Sequence, residues 1–174
     1  MTLDNILEEI NKAENIVILT HENPDGDAIG SGLAMYHALK AYGKKPDIIV
    51  PEHSRTFNCL PGIEEVKTES NIEHYDLAIS LDCATIKMLN GFADYFENAR
   101  VKVCIDHHST NTMFGDYNYV NPAAPACSQI LLVILEYFGI EISKEIGTCI
   151  LAGIITDTGG FKYQGVTAET FEFV

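Results

Sequence analysis

Short apolar runs that end directly on metal-ligand residue types constrain this chain more than any other feature. The runs are rich in Ile, Val and Leu and only five residues long, which is typical of buried strands. They are Ile16 to Thr20 followed by His21, Leu77 to Leu81 followed by Asp82, and Val101 to Ile105 followed by Asp106. A chain with this pattern is expected to place polar side chains along one edge of a buried sheet.

Helical stretches alternate with these strands. Leu3 to Ala13 has apolar residues at helical spacing, and Ala28 to Tyr42 and Ser128 to Phe138 are each closed by a glycine. The predicted elements are completed by a short strand, Asp47 to Val50, and by Lys144 to Ile155, where length and Ser143 favour a helix over a buried strand. The alternation predicts an α/β fold, a doubly wound and mostly parallel sheet flanked by helices.

The chain is expected to form one domain, residues 1–174, because this length supports a single core. Thr167 resembles the N-cap of a helix of which only the first turns follow, so we also expect a longer natural protein. The apolar stretches Ile130 to Leu135 and Ile150 to Ile155 fall short of the ~20 residues that cross a bilayer, which argues against a membrane partner.

Charge and cysteine content narrow the partners and the location. The net charge of −14 argues against duplex nucleic acid as a partner, because non-specific binding to its phosphates depends on Lys and Arg. Bound divalent cations could still reverse the local sign and admit an anionic substrate. The five cysteines are scattered singly, which predicts reduced, buried thiols and a cytoplasmic location. The sequence leaves the oligomeric state open, with a homodimer as one alternative.

Several groups of candidate ligands are expected to meet in one crevice. Ligands of open parallel sheets bind outside the carboxyl ends of the strands, near a switch in strand order. Thr156-Asp157-Thr158-Gly159-Gly160 follows another apolar stretch and could complete the ring. The predicted site contains His21, Asp25, Asp27, Asp82, Asp106, His107, His108 and Asp157.

Five carboxylates and three imidazoles in one site indicate metal binding. Each residue alone has a simpler interpretation, as a turn residue, a helix cap or a hydrogen-bonded histidine. Together the carboxylates would repel one another and raise their pKa values, unless divalent cations neutralise them. Mixed His and Asp ligands suit Mn²⁺ better than Ca²⁺ or an all-sulfur zinc site. Two ions that share a carboxylate can activate a water against a phosphoryl group.

At these residues the sequence resembles the DHH phosphoesterase family, named for the triplet present at Asp106 to His108. His21 to Ala28 is similar to the first motif of the family, Leu81 to Ala84 to the second, and Gly153 to Phe161 to the fourth. The four motifs occur in the expected order and span residues 21–161. The resemblance implies a Rossmann-like catalytic domain.

The resemblance also implies a role for each residue. One Mn²⁺ would be bound by His21, Asp25 and Asp82, and a second by Asp27, Asp82, His107 and Asp157, with Asp82 bridging the two ions. Asp106 and His108 would be catalytic residues. Asp106 would orient an imidazole, and His108 would face the substrate phosphate or the leaving group. Backbone N–H groups around Ser128, at a helix start, would bind phosphate.

Within the family, Asn23 to Ala28 is most similar to the bacterial nano-RNase group. Members of this group degrade short oligoribonucleotides and remove phosphate from 3′-phosphoadenosine 5′-phosphate. The resemblance therefore implies a short oligoribonucleotide or a nucleotide phosphate as substrate. The group holds its substrate with a glycine-rich basic motif in a second, C-terminal domain, which is not part of this sequence.

Other activities stay open at this point. Within the same chemistry they are a cyclic-dinucleotide phosphodiesterase, a manganese pyrophosphatase and a RecJ-like exonuclease. A different class would be a regulatory module that binds metal and nucleotide without hydrolysis. The Asn-Pro-Asp-Gly-Asp string at residues 23–27 argues against the pyrophosphatase, and the acidic charge argues against the exonuclease.

Overall fold

The computed structural model describes residues 2–163 and 165–173. Its strands are β1 (Ile16–Leu19), β2 (Asp47–Ile49), β3 (Leu77–Leu81), β4 (Val101–Asp106) and β5 (Tyr117–Val120). Its helices are α1 (Thr2–Lys12), α2 (Gly26–Ala41), α3 (Ala93–Glu97), α4 (Cys127–Tyr137), α5 (Lys144–Asp157) and α6 (Ala168–Glu172). Short 3₁₀ turns cover Arg55–Cys59, Ile63–Glu65 and Ile86–Phe92.

The five strands form one sheet in the order β2-β1-β3-β4-β5, and every pair is parallel. From β1 the chain first adds β2 on one side and then β3 on the other, so strand order switches between β1 and β3. One face of the sheet packs against α1, α2, α4 and α5. The other face packs against the segment around Leu89 and Phe96. The predicted doubly wound α/β fold is therefore confirmed.

Several elements differ from the sequence analysis by a residue or two at their ends, α3 was not predicted, and two differences bear on the site and the sheet. Helix α2 begins at Gly26, two residues before the predicted start, because the Asp25 carboxylate accepts hydrogen bonds from the N–H groups of Asp27 and Ala28. Strand β5 was not predicted. Its four residues are all half-buried and include Asn118, so it shows neither an apolar run nor a clear alternation.

Close packing of α2 on α5 brings two parts of the predicted site together. A Cβ on Gly30 would lie 2.6 Å from the Cys149 carbonyl oxygen, and one on Gly153 would lie 2.7 Å from Asp27 Oδ1. Both distances are shorter than real Cβ contacts, so only glycine permits this approach. The crossing holds the first turn of α2 against the last turns of α5.

All five cysteines are free. Four are buried, but Cys59 is exposed, contrary to the expectation of buried thiols, because it lies in a surface 3₁₀ turn. Among the described residues, no helix combines the length and apolar character needed to cross a membrane.

Candidate metal centre

The predicted ligands meet at the carboxyl ends of β1, β3 and β4, where strand order switches. His21 follows β1, Asp82 follows β3 directly, and Asp106 is the last residue of β4. Because these strands are adjacent and parallel, their ends lie side by side at one edge of the sheet. The structure therefore brings together residues that are more than eighty positions apart in the sequence.

Asp82 lies at the centre of this group and is only 2% exposed. Its backbone is left-handed, with φ at 58°, a conformation that Asp tolerates better than most residues. The backbone N–H of Asp82 donates to the Ile105 carbonyl at 3.1 Å. Its carboxylate lies among three ring nitrogens: His21 Nε2 at 3.7 Å, His107 Nε2 at 3.5 Å and His108 Nδ1 at 3.7 Å.

One oxygen of this carboxylate has no hydrogen-bond partner. Asp82 Oδ1 is buried and makes no hydrogen bond with any described residue. A buried charged oxygen without a partner is costly, because burial removes its hydration. A cation between Asp82 and the surrounding imidazoles would provide the missing interaction.

One potential ligand group consists of His21, Asp25 and Asp82, whose ligand atoms lie within 4.8 Å of one another. Asp25 Oδ1 is 4.0 Å from His21 Nε2. The same oxygen caps helix α2, because it accepts from the N–H groups of Asp27 at 2.9 Å and Ala28 at 3.0 Å. The cap fixes the Asp25 side chain in the position that faces His21.

A second potential group consists of Asp27, His107 and Asp157. His107 Nδ1 lies 3.3 Å from the Ala124 carbonyl oxygen. A carbonyl can only accept, so Nδ1 donates its proton to Ala124 and Nε2 is the ring nitrogen left to bind a cation. Nε2 faces Asp82 Oδ1 at 3.5 Å and Asp157 Oδ2 at 3.4 Å. Three acceptors that converge in this way fit a cation.

Asp27 is fully buried and connects the candidate metal centre to another helix. Its carboxylate accepts from the N–H of Cys127 at 2.5 Å and from the N–H of Ser128 at 2.9 Å, both at the start of α4. Burial first, and then the Asp82 carboxylate, raise the pKa of Asp27 well above its usual value. A divalent cation would offset both effects.

The pKa of Asp157 is also raised. Burial is the largest cause, the facing His107 ring opposes it, and the Asp82 carboxylate adds to it. Asp27, Asp82 and Asp157 thus form a partly buried group of like charges. The fold keeps them together, which is the arrangement that divalent cations stabilise.

Asp106 and His108 form a pair beside the two potential ligand groups. Asp106 is fully buried, and its Oδ1 accepts from His108 Nδ1 at 2.7 Å. Burial alone would raise the pKa of Asp106, but hydrogen bonds from His108 and Asn111 lower it. The hydrogen bond to Asp106 raises the pKa of His108 to about 9, against the opposing effect of burial.

His108 could also be considered as a metal ligand, since it lies near Asp82 and His107. However, Nδ1, the nitrogen nearest to Asp82, donates its proton to Asp106 at the shorter distance of 2.7 Å. The remaining nitrogen, Nε2, belongs to a side chain that is 39% exposed. His108 therefore fits contact with substrate better than metal binding.

The structure gives Ser128 a different setting from the one expected for a phosphate-binding residue. Ser128 is fully buried, and its N–H, like that of Cys127, already donates to Asp27. A phosphate would have to displace a buried carboxylate to reach these groups. The Ser128 N–H therefore positions Asp27, and the binding of phosphate by this residue has no support in the geometry.

Sequence reasoning missed two groups that position site residues. Asn111 Nδ2 donates to Asp106 Oδ2 at 2.7 Å. The Ala124 carbonyl fixes the His107 ring. The sequence gives no signal for either group, because Asn111 lies in a turn and the Ala124 carbonyl belongs to the backbone.

Open space lies next to the candidate metal centre. A shallow cavity of about 180 Å³ is lined by His21, Glu22, Asn23 and Met88. It adjoins the first ligand group, so a substrate could approach the site from this side. A larger cavity of about 480 Å³ is lined by residues that precede β3 and by residues in or directly after α3, away from the candidate ligands.

Comparisons with known proteins agree with this arrangement. The profile of the DHH family, N-terminal domain, matches residues 15–154. The chain is 37% identical over 155 residues to the bifunctional oligoribonuclease and PAP phosphatase NrnA of Thermus thermophilus, covering 88% of this chain and 46% of that protein. It is 26% identical to the Bacillus subtilis protein of the same name, covering 97% of this chain and 54% of that one.

A solved structure shows the same fold at nearly full coverage. It is an exopolyphosphatase-related protein from Bacteroides fragilis, with a TM-score of 0.91 and 28% identity over 99% of this chain and 54% of that one. The chain thus spans about half the length of these relatives. The family profile covers most of its residues, and the Asp-His-His triplet lies at the predicted edge of the sheet. The chain belongs to the DHH family and contains its N-terminal domain.

Proposed function

We propose that this chain is the metal-binding catalytic domain of a phosphoesterase that hydrolyses short oligoribonucleotides and 3′-phosphoadenosine 5′-phosphate with two Mn²⁺ ions. The observation that carries the proposal is the setting of Asp82. Its buried carboxylate belongs to one potential ligand group and lies 3.5 Å from His107 of the other, and one of its oxygens lacks a hydrogen-bond partner among the described residues. This is the position that a bridging ligand requires.

The residues divide between two ions as follows. His21, Asp25 and Asp82 would hold one ion, and Asp27, Asp82, His107 and Asp157 would hold the other. Their oxygen and imidazole donors suit Mn²⁺, and no described cysteine belongs to a potential ligand group. Bound there, the ions would supply an activated water and neutralise charge on the phosphoryl group.

The chain itself contributes a proton donor. With its pKa raised to about 9, His108 is protonated at neutral pH. Nδ1 donates to Asp106, so Nε2–H is the proton that can reach a phosphate oxygen or the leaving group. Asp106 holds the ring in this orientation and stays ionised because its pKa is lowered.

The choice of substrate rests on the two relatives named above, which are oligoribonucleases and PAP phosphatases. This chain spans about half the length of the two relatives, and its net charge of −14 disfavours contacts with phosphates. We therefore assign most of the substrate contacts to the other half of the relatives' length. The free cysteines support a cytoplasmic location, where thiols stay reduced.

An activity panel with Mn²⁺ tests the proposal. The full-length protein is given 3′-phosphoadenosine 5′-phosphate, a ribonucleotide dimer, cyclic di-AMP and pyrophosphate. We expect turnover of the first two. Preferential hydrolysis of cyclic di-AMP or pyrophosphate would contradict the substrate assignment, and no turnover of any phosphoester would indicate a sensing module. His74→Ala is a control that should keep full activity, since this exposed histidine precedes β3 at the opposite edge of the sheet.

A further inference from the structure

We infer that Asn111 is a positioning residue that holds the Asp106 carboxylate, and through it the His108 ring, in the orientation used for catalysis. The inference rests on the proposed hydrolysis for its kinetic consequence. Its structural basis is a set of short hydrogen bonds in the turn that follows the Asp-His-His triplet.

The two oxygens of Asp106 have separate partners. Oδ1 accepts from His108 Nδ1 at 2.7 Å, and Oδ2 accepts from Asn111 Nδ2 at 2.7 Å. Asp106 is fully buried, so water cannot replace either partner. Without Asn111, Oδ2 would be an unpaired buried charge, and the carboxylate would gain by rotating away from its present plane.

The Asn111 amide is itself held at both ends. Nδ2 also donates to the Cys83 carbonyl at 3.0 Å, and Oδ1 accepts from the Met113 N–H at 2.6 Å. The backbone N–H of Asn111 donates to the His108 carbonyl at 3.1 Å. The amide of Asn111 offers a donor to the Asp106 carboxylate and an acceptor for the Met113 N–H, whereas an ionised aspartate side chain would offer only acceptors. The position therefore requires asparagine rather than aspartate.

A competing acceptor makes this orientation matter. Asp82 Oδ1 lies 3.7 Å from His108 Nδ1, only about 1 Å farther than Asp106. If Asp106 turned away, the His108 ring could donate to Asp82 instead. That would redirect Nε2 and engage the carboxylate placed between the two ligand groups. Asn111 prevents the exchange by keeping Asp106 in place.

The alternative is that Asn111 only stabilises the turn. Two variants distinguish this structural role from the positioning of Asp106. Asn111→Asp keeps the shape and the acceptor for the Met113 N–H but places a second carboxylate against Asp106. Asn118→Ala is the matched control. Asn118 makes two side-chain hydrogen bonds, both with Gly115, at 2.9 and 2.7 Å, and is half-buried like Asn111. It does not touch Asp106.

Steady-state kinetics with Mn²⁺ and a ribonucleotide dimer give the first test. We expect kcat of Asn111→Asp to fall by roughly 10- to 100-fold, as for groups that orient an active-site ligand, with KM and the bound metal unchanged. Asn118→Ala should retain the wild-type kcat. Wild-type kcat in Asn111→Asp, or an equal loss in Asn118→Ala, would overturn the inference.

A spectroscopic test keeps the inference independent of the activity. In metal-free protein labelled with ¹⁵N, the His108 Nδ1–H should give a downfield signal typical of a short hydrogen bond to a carboxylate. The signal should disappear in Asn111→Asp and persist in Asn118→Ala. If the wild type hydrolyses no phosphoester, the proposed function fails while this readout still tests Asn111. An unchanged signal in Asn111→Asp would refute the positioning role.

Discussion

Replacing Gly153 with alanine tests the close helix packing on which Asp27 depends. A Cβ at this position in α5 would lie 2.0 Å from Ser128 Oγ, 2.8 Å from Ser128 Cβ and 2.7 Å from Asp27 Oδ1. The first distance is about 1.4 Å short of the 3.4 Å at which ordinary contact begins. Rotating the hydroxyl does not remove the clash, because Ser128 Cβ is also too close. Either α5 must move outward or Asp27 must shift.

The size of the effect follows from two opposing contributions. Alanine in a helix interior is favoured over glycine by roughly 0.5–1 kcal/mol. Inserting a methyl group into a filled core costs about 1–3 kcal/mol, and an overlap this large belongs at the upper end of that range. We expect a net loss of about 2 kcal/mol, which lowers the Tm of a chain of this length by roughly 4–8 °C.

Gly147 provides the matched control on the same helix. A Cβ there would meet only Ile142 Cγ2, at 3.7 Å, which is ordinary contact. Gly147→Ala should therefore stabilise the protein by roughly 0.5–1 kcal/mol through helix propensity. Urea unfolding of the two metal-free variants measures both changes, and Mn²⁺ titration should show weaker binding only for Gly153→Ala. If both substitutions stabilise the protein, or if Gly153→Ala binds Mn²⁺ like the wild type, the reasoning from close packing is refuted.

Three further predictions concern the ligands themselves. Asp82→Asn should lose both ions while keeping the fold, because asparagine tolerates the left-handed backbone but lacks the bridging charge. If metal analysis still found two bound ions, Asp82 would not be a bridging ligand. His107→Ala should lose metal, whereas His108→Ala should keep metal and lose turnover; equal metal loss would show that the two histidines share one role. The raised pKa of Asp27, caused first by burial and then by Asp82, means that protonation stabilises the metal-free fold. The stabilisation from protonated Asp27 is complete below the pKa of about 3.9 of the unfolded state and is lost as the pH rises through the pKa of the folded state. Metal-free protein should therefore lose stability towards neutral pH, and added Mn²⁺ should restore it. A urea midpoint that rises over the same pH range would contradict the last prediction.

Hydrophobic pattern alone was enough to predict most of the fold. The runs that became β1, β3 and β4 are short, apolar and rich in branched residues, so burial on both faces was their only stable setting. Strand β5 could not be found in this way. It is half-buried at every residue and carries polar side chains, and it is a strand because β4 offers it a free edge for pairing.

The grouping of the candidate ligands was readable from the sequence because their positions follow from topology. Parallel strands bring their carboxyl ends to one edge, so His21, Asp82 and His107 were expected at that edge. The strand order, which makes β1, β3 and β4 adjacent, came only from the structure. Asp25 and Asp27 followed from the turn that begins the next helix. How Asp27 is held was not readable, because its partners are backbone N–H groups one hundred positions away, at Cys127 and Ser128.

The order of strands and ligands along this chain was thus determined by the sequence, through burial of apolar runs and the direction of parallel strands. The tertiary structure alone decided which groups form hydrogen bonds with the candidate site residues. It directed the N–H of Ser128 to Asp27 instead of to a phosphate, and it placed Asn111 against Asp106. It also buried Asp82 in a potential ligand group beside His107, with one carboxylate oxygen lacking a hydrogen-bond partner among the described residues. The contact between Ser128 and Asp27 joins elements that are far apart in the sequence, and no local pattern encodes such a distance.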